Sequence, residues 1–187
     1  MEIYLTRLKL EEILWRTFVL ALDMNPESEA AQAAVRVAWP VDAEVGSNPA
    51  WERDENICFL RISDNTTDPY ANLLNVSHDF DLDAQTQTEV VKYTRVHGVN
   101  AIFYGPDAVD NAEVVRIRMQ REDIRAFLRE SSLYPIPGMG RPTRTPELFA
   151  GAWWDRCDAA YTFYEGCRRE WRQDYLNDFT IGTTKEG

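Results

Sequence analysis

Histidine is scarce in this chain. Its 187 residues hold two, His78 and His97, so chemistry that relies on clustered imidazoles has little to work with. Ser77-His78-Asp79 contains the three residue types of a hydrolase triad. Neighbours on a strand point to opposite faces, however, and cannot line up as nucleophile, base and orienter. Cysteine is sparse too. Cys58, Cys157 and Cys167 are odd in number and widely spaced, which fits neither a disulfide framework nor a zinc site and leaves reduced thiols. No stretch approaches the ~20 apolar residues of a membrane span. Charges at Arg7, Lys9, Glu11, Glu12 and Arg16 interrupt the N-terminal apolar stripes before they form a signal-peptide core. The expectation is a chain that meets no membrane and stays where it is made.

Phosphate-binding signatures are missing as well. Gly138-Met139-Gly140 follows proline rather than a strand-to-helix junction, with no P-loop lysine and serine after it. The helix expected after Gly105 begins among Asp107 and Asp110, which repel phosphate. The net charge of −11 opposes the counterion release that drives binding to nucleic-acid backbones. Asp79, Asp81 and Asp83 resemble the start of a calcium loop, but Ala84 and Val90 stand where that loop needs glycine and glutamate. A loose cation site and a solvated acidic face both remain readings of this row, and of the Asp64 to Asp68 loop. Among 31 acidic residues no pair stands out as general acid and base. Neither a repeat nor a low-complexity tract is present. The expectation is no catalytic set, no cofactor and no metal.

What is present suits a globular chain. Hydrophobic residues make up 44% and charged residues 27%, which argues against wholesale disorder. Six Trp, eight Tyr and eight Phe can fill a core or an interface. The length fits one domain, residues 1–187.

The apolar spacing of Leu10, Ile13, Leu14, Thr17, Phe18, Ala21 and Leu22 predicts a first helix, stopped by Asn25-Pro26. Strands are expected at Val35 to Trp39 and Ile57 to Ile62, with the Gly46 to Pro49 turn between them. Residues 72–87 read as an edge strand or extended arm, with Val76, His78, Phe80 and Leu82 on one face. Residues 88–104 read as a long strand in which Gly98 marks a bulge or a close approach. A helical region after Gly105-Pro106 is expected to break near Arg121 and end near Ser131. A short strand at 133–136, a Gly/Pro loop at 137–146, and strands at 154–165 and 179–183 follow; 168–175 is ambiguous. This order predicts an α+β fold: a mostly antiparallel sheet with helices packed on one face. Trp153-Trp154, flanked by Leu148 and Phe149, is read either as a core plug or as a subunit-interface anchor.

Several segments together resemble one known family. They are Val37-Ala38-Trp39-Pro40, Trp51 to Ile62, Asp68-Pro69-Tyr70, Tyr93-Thr94-Arg95-Val96, Phe103-Tyr104-Gly105-Pro106-Asp107 with Asp110-Asn111-Ala112, Ser132-Leu133-Tyr134, and Pro146-Glu147-Leu148-Phe149 with Gly151 and Trp153-Trp154-Asp155-Arg156. In order and spacing over residues 35–165 they resemble the phage neck terminator, or tail terminator, family. Residues 166–187 are less family-like.

The resemblance implies a structural virion protein at the head–tail joint. It implies a tail-terminator-like fold whose copies form a ring, commonly of six. Such a ring caps the tail tube and docks it to the head connector, and genomic DNA passes through its lumen without specific binding. The implied partners are other copies of the chain, the head connector or adaptor, and the tail tube or sheath protein. The implied location is the virion neck, after synthesis in the host cytoplasm. The assembly interface is expected at Leu148, Phe149, Trp153 and Trp154. Three other functions stay open: a head-completion adaptor nearer the portal, an acidic DNA mimic that blocks a host protein, and a metal-dependent hydrolase built on the Asp79 to Asp83 row.

Overall fold

The structure, a computed structural model, describes residues 2–37, 51–65, 67–71, 74–81, 86–138, 140–149 and 151–174. Two strands of 19 residues each form its spine: β5 (Thr86–Tyr104) and β10 (Arg156–Asp174). They pair antiparallel over their whole length in one unbroken register, from Arg156 opposite Tyr104 to Asp174 opposite Thr86. β3 (Ile57–Asp64) pairs with the C-terminal half of β5, and β4 (Leu74–Asp81) with its N-terminal half. β2 (Val35–Val37) joins β3 in parallel. The other edge of β10 takes β7 (Thr143–Arg144), β6 (Leu133–Pro135) and β1 (Glu2–Ile3) in turn. The expected α+β architecture, a mostly antiparallel sheet with flanking helices, is what the chain adopts.

Alternation along the strands decides what covers each face. Val99, Ala101 and Phe103 of β5 share a face with Cys58, Leu60 and Ile62 of β3 and with Cys157, Ala159, Tyr161 and Phe163 of β10. Helix α1 (Arg7–Ala21) lays Leu10, Ile13, Leu14 and Phe18 on that face, with the Phe18 ring set edge-on to Tyr161 at 5.1 Å. Its first turn is capped by Thr6, whose hydroxyl accepts from the Lys9 amide. Helices α3 (Ala108–Arg118) and α4 (Glu122–Glu130) complete the cover with Ala112, Val115, Ile124 and Leu128. Their break at Arg121 is the one expected. The opposite face carries a smaller aromatic cluster of Ile57, Phe59, Ile102, Tyr104 and Trp154, with Trp51 against it.

Several elements differ from the sequence reading. Helix α2 (Glu29–Ala34), capped by Ser28, was not expected, because its six residues are too few to show a period. The Gly/Pro loop after residue 137 contains β7. The ambiguous stretch from 168 is the end of β10, and the strand expected to begin at Trp154 begins at Arg156 after a separate β9 (Ala152–Trp154). Gly98 is a close approach and not a bulge. The register runs through it unbroken, and a Cβ there would lie 3.3 Å from Ser63 Oγ. The Gly46 to Pro49 turn and the strand expected at 179–183 lie outside the described residues.

Candidate assembly surface

The four residues expected at an interface fall on a small hairpin of β8 (Glu147–Phe149) and β9. A left-handed residue, Gly151 with φ +78°, sits in its turn. The register places Leu148 opposite Trp153, and Glu147 opposite Trp154. Directly opposed residues share a face, so consecutive tryptophans part company. Trp154 turns inward to Trp51, Phe59 and Tyr104, and is 9% exposed. Trp153 turns outward beside Leu148, and the two are 65% and 58% exposed. Trp154 therefore sits in the core and Trp153 on the surface. Phe149 is described for its backbone alone, opposite Ala152.

Polar side chains hold this hairpin against the sheet. Glu147 accepts a hydrogen bond from the Tyr104 hydroxyl at 2.7 Å and another from Arg156 at 3.0 Å. Arg156 also grips Asp158 with two bonds of 2.8 and 2.9 Å, and lies 5.9 Å above the Tyr104 ring. Burial raises the Tyr104 hydroxyl well above its ordinary range, and its bond to Glu147 adds to the shift. The arginine stays cationic, held chiefly by its bonds to Asp158. Arg144 pairs with Asp155 at the rim. The exposed Leu148–Trp153 pair is thus carried on a fixed base, as a binding anchor requires. Trp154→Ala is expected to cost about 3 kcal/mol through the cavity it leaves. Trp153→Ala should stay within about 0.5 kcal/mol, as exposed substitutions do. Urea unfolding of the two purified variants measures both.

A second polar constellation closes the core where the helices end. His97 and Glu165 are both buried. The imidazole Nε2 is 2.7 Å from Glu165 Oε2 and Nδ1 is 3.1 Å from Asp64 Oδ1, so each ring nitrogen faces a carboxylate. The other Glu165 oxygen accepts from the Leu5 amide at 2.6 Å, and Arg95 donates to the Leu5 carbonyl at 3.1 Å. Burial opposes ionisation of Glu165. The bonds from His97 and Leu5 and the charge of Arg95 outweigh it, holding the carboxyl below the usual range. This cluster fastens the chain start to the sheet, and its histidine is sealed from solvent. Sequence reasoning missed it, although a glutamate in the alternating row Cys157 to Cys167 was a visible signal.

The other candidates are scattered. His78 lies on one face of β4, 3.5 Å from Glu89, while Ser77 and Asp79 lie on the other. Asp79 and Asp81 stand exposed on β4, and Asp83 is outside the described residues. Among the described residues no group of three or more His, Cys, Asp or Glu is placed to hold a metal ion. All three cysteines are buried and free, and burial pushes the Cys167 thiol up to about 12.

Comparison with known proteins gives a family match. The model of a family described as phage neck terminator protein covers residues 10–186. No curated protein matches the chain.

Proposed function

Since the chain belongs to the phage neck terminator family, and so to the structural proteins of the phage head–tail joint, we propose that its copies assemble into a ring, commonly of six, that caps the tail tube and docks it to the head connector. The match over residues 10–186 carries this reading. The exposed Leu148–Trp153 pair supports it, because tryptophan is enriched where binding energy concentrates. Leu148 and Trp153 touch the neighbouring protein, and Trp154 supports them from below. Assembly is the mechanism and no catalytic step is involved: burial of the patch fixes a subunit in place. The strong negative charge of such a ring repels DNA from its lumen wall and lets the genome slide.

Electron microscopy of particles from phage carrying a stop codon in this gene tests the reading. The expected result is filled heads without tails, beside tails of uncontrolled length. Complete virions would overturn it. Complementing the mutant with Trp153→Asp should give a folded protein and few joined particles, counted on the same grids.

A further inference from the structure

Residues 2–5 lead into α1 along the outer edge of β10. β1 pairs with that edge through two residues only, Glu2 opposite Arg169 and Ile3 opposite Arg168. The Tyr4 ring lies 5.8 Å from the Arg169 guanidinium, and Tyr4 stays 43% exposed. Leu5 joins no ladder. Its amide donates to Glu165 Oε1 and its carbonyl accepts from Arg95 Nη1. Side chains of two other strands therefore hold both of its backbone groups. The Leu5 side chain itself packs against the core but is only partly buried.

α1 is anchored separately. Thr6 is extended, with φ −67° and ψ 158°, and its hydroxyl caps the helix at the Lys9 amide. Arg7 donates to the Ile62 carbonyl at 2.9 Å. Leu10, Leu14 and Phe18 are each 1% exposed or less. None of these ties passes through residues 2–5. A segment with few buried apolar contacts opens at lower free energy than a neighbour with many, and the two meet at Thr6.

What β1 covers gives such an opening a consequence. Along that edge of β10, β7 takes residues 157–158, β6 takes 163–165 and β1 takes 168–169. Among the described residues no other strand pairs with β10 on this side. An uncovered edge presents unpaired backbone groups to another chain. We infer that residues 2–5 are a strap that lifts off β10 about Thr6 while α1 and the sheet stay folded, with the bonds of Leu5 to Glu165 and Arg95 as its latch. Closed, the strap blunts the edge. Open, it bares the backbone at Arg168 and Arg169 for strand pairing. The latch thus governs access to this edge.

Hydrogen exchange of the folded full-length chain, read amide by amide by NMR, tests this. The Leu5 amide reports the latch, since its acceptor is a side chain. It should exchange about 100-fold faster than the amides of Leu14 and Phe18. Its rate should stay flat in guanidinium below the unfolding transition while theirs climb. Tyr4→Ala, at an exposed position, should speed Leu5 by a further factor of about two to five, the worth of an exposed cation–π contact. It should leave Leu14 and Phe18 unchanged. One common rate for the three amides, climbing together with denaturant, would mean that residues 2–5 open only with the whole fold, and overturns the inference. A Tyr4→Ala chain in which the three amides speed up equally, or not at all, overturns it too.

Discussion

Glu165→Ala is expected to destabilise the fold by about 3–5 kcal/mol, the usual cost of removing one partner from a buried ionic cluster. At roughly 2–4 °C per kcal/mol for a chain of this size, the melting temperature should fall by about 6–20 °C. The physical reason is the company the carboxylate keeps. Without it the buried His97 Nε2 loses its 2.7 Å partner, the Leu5 amide loses its 2.6 Å acceptor, and Arg95 loses the anion 3.4 Å away. Each group keeps the full cost of having left water.

The same carboxyl gives the effect a pH signature. Its folded-state pKa lies below the ordinary glutamate value. Between the two values the unfolded chain holds more protons than the folded one, so stability rises with pH there. The advantage of wild type over Glu165→Gln is therefore complete above the unfolded-state value of ~4.3. It is lost as pH falls through the folded value, where wild type also carries a neutral side chain. Thermal melts of both proteins from neutral to strongly acidic pH measure this. An advantage that does not shrink in acid would sink the account.

How much of this could be read from the residues depends on the length over which each pattern persists. α1 was legible because six apolar residues and Thr17 recur at three- and four-residue spacing. The α3–α4 break falls near Arg121, where it was expected. β5 was legible because its alternation runs on for nearly 20 residues. α2, β1 and β7 span six residues or fewer, and a period cannot be seen in so short a window. The end of β10 was obscured because Arg168, Arg169, Glu170 and Arg172 interrupt its alternation. Those positions lie beyond the helices, so no core selects apolar residues there.

The candidate surface was legible in part for a related reason. Composition and neighbours marked Trp153-Trp154 as unusual. Only the register that sets Leu148 opposite Trp153 shows which tryptophan faces out. The His97 cluster was harder still, since its members come from β3, β5 and β10 and meet only once the register is fixed.

Gly105→Val is expected to cost about 4 kcal/mol, combining backbone strain with overpacking. Gly105 has φ +106°, and a Cβ there would lie 2.4 Å from the Glu55 carbonyl oxygen and 2.9 Å from Asn56 Cα. Both are backbone atoms that cannot swing aside. They belong to the junction where Asn56 bonds the Asp107 amide at 3.0 Å and the Asp107 carboxylate at 2.8 Å, tying the start of β3 to the start of α3. A side chain at 105 therefore pushes the sheet away from the helix that covers it. Gly151 separates strain from contact. It too has a positive φ, +78°, but nothing lies within 4 Å of its added Cβ. Gly151→Ala should show strain alone, about 1–2 kcal/mol, and Gly105→Ala distinctly more. Guanidinium unfolding of the two alanine variants decides the matter: equal losses would mean that the close approach at Gly105 carries no weight.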